Sequence, residues 1–233
     1  MIDMHSHCLP FVDDGADSVE TSLAMLEDAK SKGADIVVAT PHCVLRKQDM
    51  ETFLRIRNES YNTICEIVNR DTQRYPKLLT GAEVFLGSDI SEFEDLKKLC
   101  YEGTDYILLE LSPVVSCSLL SEWIYNISIT GLKPVIAHID RFENYKRMKQ
   151  ELKGIDVVYQ INAARFFGMF SGFAVKQIVE GYDKFIVSSD MHNLTTRKFN
   201  MHQAMRCAEK IVPHMCDMMF HAGAESMLFN NNF

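Results

Sequence analysis

The stretch Ile2-Asp3-Met4-His5-Ser6-His7 opens the chain and decides how the rest of it is read. It has the β-prone, apolar-framed character of a strand, and it ends in two histidines spaced i, i+2, which a strand places on one face. A lone HxH pattern is weak evidence for a metal site. Asp13-Asp14-Gly15 in the following loop reads, by itself, as a solvated turn. Repetition along the chain gives the pattern its weight. Asp35–Thr40 runs into Pro41-His42, Lys77–Leu86 carries Gly81-Ala82-Glu83, Tyr106–Leu111 carries Glu110, and Pro134–Ile139 carries His138. Val157–Asn162 is a further strand, and Lys184–Ser189 runs into Asp190-Met191-His192.

Amphipathic stretches separate these runs. Asp17 with Glu20 three residues on predicts a capping box opening a helix whose inward stripe is Val19, Leu23, Leu26 and Ala29, with Gly33 past its end. Helices are also expected over about 50–70, over Ile90–Cys100, over Leu119–Ile129 closed by Gly131, over Asn144–Leu152, and over Gly172–Glu180 ended by Gly181. The tail from about Asn200 reads as helical, interrupted by Pro213. Seven strand–helix units of this kind predict an α/β fold with a parallel sheet covered on both faces. The polar residues fall at the carboxyl ends of the strands. A barrel brings such ends to one mouth, whereas an open sheet spreads them along its edge, so a barrel is favoured.

The 233 residues favour one domain, and 47% hydrophobic with 24% charged residues is ordinary globular composition. A net charge of −8 disfavours nucleic acid as a partner, since that binding leans on Lys and Arg. The seven cysteines are odd in number, irregularly spaced and without a CxxC, which predicts reduced, buried thiols. The amino terminus has no basic and apolar leader pattern, and no apolar run is long enough to span a bilayer. A cytoplasmic protein without membrane insertion is expected.

Taken together, His5, His7, Asp14, His42, Glu83, Glu110, His138, Asp190 and His192 supply donors for two or three divalent ions, and the donor types suit Zn, Mn or Fe. Glu83 and Glu110 end apolar strands, where an unpaired carboxylate is costly. Each residue alone has a plainer reading as a turn, an ion pair or a hydrogen-bonded core histidine. A multinuclear site activates water and accepts phosphate, so hydroxide attack on phosphorus would need no protein nucleophile. Arg141 and Arg197 follow His138 and His192 on the same rim, and the guanidinium fork matches phosphate oxygens. Arg46 and Lys47 follow His42 and could add to that rim. His202, His214 and His221 fall off the pattern and read as structural or surface residues.

These motifs resemble the PHP (polymerase and histidinol phosphatase) superfamily, and within it the manganese-dependent protein tyrosine phosphatases of bacterial capsule and exopolysaccharide operons. The matching stretches, in order, are Ile2–His7 through Asp13-Asp14-Gly15, Thr40-Pro41-His42, Gly81-Ala82-Glu83, Ala137–Arg141 and Ser188–Asn193. The resemblance spans nearly the whole chain and implies a distorted (β/α)7 barrel, one domain over residues 1–233, holding three divalent ions. Manganese comes first, with iron or zinc also suiting the ligands. It implies that His5, His7, Glu83 and Asp190 hold one ion, Glu83, Glu110 and His138 a second, and Asp14, His42 and His192 the third. It implies that Arg141 and Arg197 contact the phosphate, and that the partner is the phosphotyrosine tail of a bacterial tyrosine kinase. Assembly as a homo-oligomer is compatible with the sequence. Lys198-Phe199-Asn200 after Arg197, and Arg165 near the rim, depart from the family pattern.

Other chemistries are weighed against this. A phosphatase of small monoesters such as histidinol phosphate could use the same barrel. A metal-stabilised binding module without turnover is the alternative outside the enzymes. A cysteine-based tyrosine phosphatase needs Arg six positions after Cys. Here those positions hold Asp14, Asp49, Asp71, Tyr106, Trp123, Pro213 and Ala222, which excludes it. No GK[ST] P-loop and no GxGxxG occurs.

Overall fold

The structure is a computed structural model that describes residues 1–45, 49–179, 184–230 and 233. Arg46, Lys47 and Gly181 therefore lie outside the described residues. The strands are β1 (Ile2–Ser6), β2 (Ile36–Ala39), β3 (His42–Cys43), β4 (Lys77–Thr80), β5 (Glu83–Leu86), β6 (Tyr106–Leu111), β7 (Lys133–Ile136), β8 (Val158–Asn162) and β9 (Phe185–Ser188). The helices are α1 (Val19–Ser31), α2 (Met50–Val68), α3 (Cys117–Ser128), α4 (Tyr145–Glu151), α5 (Ser171–Val179), α6 (Met201–Ile211) and α7 (Gly223–Asn230). Among the described residues every strand pairing is parallel, as continuous apolar strands alternating with helices dictate.

The pairings run β1-β2-β4 in one sheet and β3-β5-β6-β7-β8-β9 in the other. These two sheets form one ring. β2 and β3 are a single strand path broken at Thr40-Pro41, and β4 and β5 a single path broken at Gly81-Ala82. Gly81 N–H donates to Ala39 O at 2.8 Å and Glu83 N–H to Pro41 O at 3.0 Å, so the ladder carries on through both breaks. The ring closes between β9 and β1, where Asp190 N–H donates to His5 O at 2.9 Å and His7 N–H to Met191 O at 2.8 Å. Beneath this seam the buried Asp3 carboxylate accepts from Ser189 N–H at 2.9 Å and from Ser189 Oγ at 2.5 Å. The result is the (β/α)7 barrel that the resemblance implies.

Two apolar clusters share the strands. Ile2, Met4, Ile36, Val38, Leu79, Leu108, Val135, Val158 and Ile186 fill the barrel, and Ala224 and Met227 of α7 join them. Alternate residues such as Val37, Leu78, Ile107, Ile136, Tyr159 and Val187 pack outward with the helices. The alternation has one consequential fault. The β1–β2 register shifts between Asp3 and Ser6. Simple alternation sets His5 and His7 on the face of Asp3, away from Ile2 and Met4. With the shift, Ser6 pairs with the outward Ala39, and His5 and His7 turn into the barrel.

Two expectations need correction. The α1 cap is Ser18, not Asp17: Ser18 Oγ accepts from Thr21 N–H at 3.1 Å, while Asp17 Oδ1 accepts from the Thr21 hydroxyl at 2.7 Å. The helix expected over Ile90–Cys100 is absent. Asp95 adopts a left-handed backbone at φ 63°, and only a 3-10 turn, Leu96–Leu99, follows. Asp89 diverts the start of this segment by accepting from Ser91 N–H at 2.9 Å. Arg57 on α2, buried although charged, ties the segment down. Its Nη1 donates to Gly81 O and to Lys98 O, each at 3.0 Å, and its guanidinium lies 5.8 Å from the Phe53 ring centroid.

Two tests follow from these contacts. Arg57→Leu removes the donor from both carbonyls and should lower stability by about 1–3 kcal/mol, read as a fall in Tm of the metal-free protein. Gly15 is the second position. A methyl group there would overlap the backbone carbonyl of His7 and lie 2.6 Å from His7 Cβ. Gly15→Ala should cost about 1–3 kcal/mol by overpacking, and equilibrium urea unfolding measures it.

Candidate metal centre

All nine side chains singled out in the sequence meet at the carboxyl-end mouth of the barrel. Glu83 lies at their middle, 1% exposed. Its Oε2 is 2.9 Å from His42 Nδ1, 3.2 Å from His5 Nε2 and 3.3 Å from His7 Nε2, and its Oε1 is 2.8 Å from His138 Nε2. Asp190 Oδ1 lies 3.7 Å from His5 Nε2 and 3.6 Å from His7 Nε2. Asp14, exposed at 66%, brings Oδ1 to 3.4 Å from His42 Nε2 and 3.5 Å from His192 Nε2. The His7 and His192 rings stack with centroids 3.8 Å apart. Glu110 Oε1 stands 3.7 Å from His138 Nε2.

Three groupings have donor atoms close enough to share an ion: His7, Asp14, His42 and His192; His5, His7 and Asp190; and His42, Glu83 and Glu110. The sets implied by the resemblance are recognisable in them, with three differences: Glu83 is outside the grouping of His5, His7 and Asp190, His7 joins that of Asp14, His42 and His192, and the third concerns His42. His42 stands with Glu83 and Glu110 where the resemblance places His138, because His42 turns Nδ1 to Glu83 and Nε2 to Asp14.

The surrounding residues orient the rings. His7 Nδ1 lies 2.6 Å from Asp13 Oδ2, so it donates there and its Nε2 lone pair faces the cluster. Asp13 also accepts from His42 N–H at 2.9 Å and Gly15 N–H at 2.9 Å. Although burial opposes it, the His7 contact holds the Asp13 carboxyl down at about 2. His192 Nδ1 donates to Asp190 O at 3.0 Å. Asn193 Oδ1 accepts from Thr195, Thr196 and Arg197 N–H at 2.9–3.0 Å and shapes the loop that presents Arg197. Asp13 and Asn193 stand within the motif stretches, beside Asp14 and His192, but the sequence alone assigns neither a role.

Charge in the site is poised for cations. Burial opposes protonation of His5, but Glu83 and Asp190 outweigh it and raise it from 6.5 to about 9. The same contest, won by Glu83, raises His42 to about 9. Burial and then the nearby His7 lower His192 to about 4, leaving it neutral. Burial works against ionisation of Glu83, yet His5, His138 and His42 hold it well below the usual carboxylate range. Burial, reinforced by Glu83, pushes Glu110 up. Among the described residues, His192 Nε2 is one of the buried polar atoms without a hydrogen-bond partner, which fits a donor meant for an ion rather than for the protein.

The two rim arginines stand where the sequence reading put them. Arg141 Nη2 is 2.7 Å from Asp190 Oδ2, and Arg197 Nη2 is 2.9 Å from both Asp190 oxygens. Arg165 is exposed on the 3-10 turn Ala163–Phe166 that follows β8. His202 stacks on Phe199 with centroids 6.5 Å apart, away from the cluster.

Comparison with known proteins agrees with this architecture. The family model described as capsular polysaccharide synthesis, CpsB/CapC, matches residues 1–229. The tyrosine-protein phosphatase CpsB of Streptococcus agalactiae is 29% identical over 252 residues, covering 99% of both chains. The CpsB of Streptococcus pneumoniae is 32% identical over 225 residues, covering 88% of each. A chain from the crystal structures of YwqE from Bacillus subtilis and CpsB from Streptococcus pneumoniae, described as unique metal-dependent tyrosine phosphatases, superposes with a TM-score of 0.82. It is 24% identical and covers 100% of this chain and 96% of its own. The chain belongs to the CpsB/CapC family of capsular polysaccharide synthesis proteins.

Proposed function

We propose that this protein is a metal-dependent protein tyrosine phosphatase of capsular or exopolysaccharide synthesis, acting on the phosphotyrosine tail of a bacterial tyrosine kinase. The observation that carries the reading is the convergence on Glu83 of imidazoles from three other strand paths. His5, His7, Asp14, His42, Glu83, Glu110, His138, Asp190 and His192 would hold three divalent ions, manganese first, with iron and zinc suited to the same donors. Bound ions lower the pKa of coordinated water from about 15.7 to about 7 and draw electron density from a phosphate oxygen. The protein's own part is positional. Asp13 and the Asp190 carbonyl orient His7 and His192. Arg141 and Arg197 bring guanidinium forks to the rim, where a phosphate would be gripped. No thiol serves as nucleophile: Cys8 and Cys43, which follow His7 and His42 in sequence, are both buried, and burial pushes the Cys8 thiol up to about 12. Among the described residues no helix is long and apolar enough to cross a membrane.

The decisive experiment follows hydrolysis of a phosphotyrosyl peptide and of histidinol phosphate by the purified protein with added manganese. The peptide should be the better substrate; preference for histidinol phosphate would replace the proposed substrate class. Chelation should abolish turnover, and His42→Ala should lower it by more than the roughly 10–100-fold typical of outer-sphere changes. Turnover that survives both treatments would rule the metal reading out.

The site should also respond to pH. His5 and His42 both titrate near 9 in the metal-free site. Below that value each carries a proton that an incoming ion must displace. Affinity for Mn2+ should therefore climb from neutral pH towards 9 and then level off. Stability of the metal-free protein should move the opposite way. A histidine raised from 6.5 stabilises the fold while protonated, and that contribution fades as pH rises through about 9. Parallel Mn2+ titrations and thermal melts across this range check both slopes.

A further inference from the structure

Strand β8 differs from the rest of the barrel. Every other strand path ends in at least one of the nine clustered side chains, whereas β8 ends in none. Yet Gln160 and Asn162 on this strand are polar and buried, at 0% and 2% exposure. Their i, i+2 spacing sets them, with Val158, on the barrel-filling face.

Their hydrogen bonds form a directed chain. The backbone N–H of His138 donates to Gln160 Oε1 at 2.6 Å, and His5 Nδ1 lies 3.2 Å from that same oxygen. Gln160 Nε2 donates to Asn162 Oδ1 at 2.9 Å, and Asn162 Nδ2 donates to Asp190 Oδ2 at 2.9 Å. Asn162 N–H donates to Asp140 Oδ1 at 2.9 Å. Both ends of the chain fix its sense. A backbone N–H can only donate, so the Gln160 atom it meets is the carbonyl oxygen. An ionised carboxylate can only accept, so the Asn162 atom at Asp190 is the amide nitrogen. His5 Nδ1 then faces an acceptor and must carry a proton, which leaves Nε2, directed at Glu83, His7 and Asp190, as the atom that gives up its proton to an incoming ion.

His138 and Asp190 share a second feature. Neither is glycine, yet their backbones sit at φ 29° and φ 53°, in the left-handed range. Gln160 holds the backbone N–H of the first, and Asn162 holds the carboxylate of the second.

We infer that Gln160 and Asn162 are positioning residues of the metal centre: one amide relay sets the His5 tautomer and fastens His138 and Asp190, so that three side chains from three other strands present their donor atoms to one point. This rests on reading the cluster as a metal site.

The test strips the protein of metal and titrates it with Mn2+ against a chromogenic chelator. Gln160→Leu, close in size and unable to accept or donate, should weaken Mn2+ binding by about 10–100-fold. Gln160→Glu keeps an acceptor for His5 and His138 and should recover part of that loss, which a merely space-filling role would not produce. Melting of the metal-free variants reports separately on the fold. If Gln160→Leu does not fold, Asn162→Ala cuts only the Asp190 arm and should weaken binding in the same direction by a smaller factor. A folded Gln160→Leu, or failing that Asn162→Ala, binding Mn2+ within about twofold of the unaltered protein would overturn the inference, since outer-sphere partners of this kind normally cost tenfold or more. Unaltered protein that takes up no Mn2+ would instead bring down the underlying metal reading, so the two failures are distinguishable.

Discussion

A buried carboxylate ringed by imidazoles is the constraint on which this molecule turns. Glu83 reaches four histidines, each within 3.3 Å, and almost no solvent touches it. A lone ionised carboxylate in such a place would be driven to protonate. Surrounded as it is, Glu83 stays ionised and lifts His5 and His42 in turn. The same mutual dependence that keeps protons on the imidazoles makes the cluster receptive to a divalent ion, which brings more positive charge to the same point. Charge balance is thus the shared logic of the metal-free and the proposed metal-bound site.

The barrel is built to sustain that convergence. Its seam joins β1 to β9 through backbone bonds at His5, His7, Asp190 and Met191, all within the cluster or beside it. Asp3 and Ser189 lock the same seam from the layer beneath. Where the strand paths break, at Thr40-Pro41 and Gly81-Ala82, the ladder resumes in time to deliver His42 and Glu83 in register with one another. Left-handed backbone at His138 and Asp190 costs on the order of 1–3 kcal/mol apiece, and the amides of β8 hold both. Strain, burial and polar networks are concentrated at one end. The other end, where α7 contributes to the apolar filling, is conventional core.

The legible part of the fold was the period. Apolar β-branched runs alternating with amphipathic stretches located all seven strand paths, and β6 at Tyr106–Leu111 matched residue for residue. The illegible parts were those decided by local competition. At Asp17-Ser18 two good capping residues adjoin, and only the backbone of Ser18, extended at φ −156°, selects between them. At Ile90–Cys100 the spacing of Ile90, Phe93 and Leu96–Leu99 imitates a helix, but Asp89 and Asp95 bend the backbone away from it. Arg57 is a charged residue on α2, yet it lies buried. It is an interior clamp because the strand break at Gly81 and the 3-10 turn at Lys98 each leave a carbonyl for it to hold.

The sequence by itself determined which residue types stand at the strand ends, since apolar periodicity and an i, i+2 pair of histidines survive without coordinates. It determined a parallel α/β chain for the same reason. Tertiary structure alone decided where those side chains aim. The register slip between Asp3 and Ser6 turns His5 and His7 from the outer face to the inner one, and no local pattern encodes a slip against a partner strand. It alone revealed Gln160 and Asn162 as parts of the site, because a neutral amide acquires a role only when both ends of its hydrogen bonds are in place. Periodicity is a property of one strand; aim and tautomer are properties of neighbours.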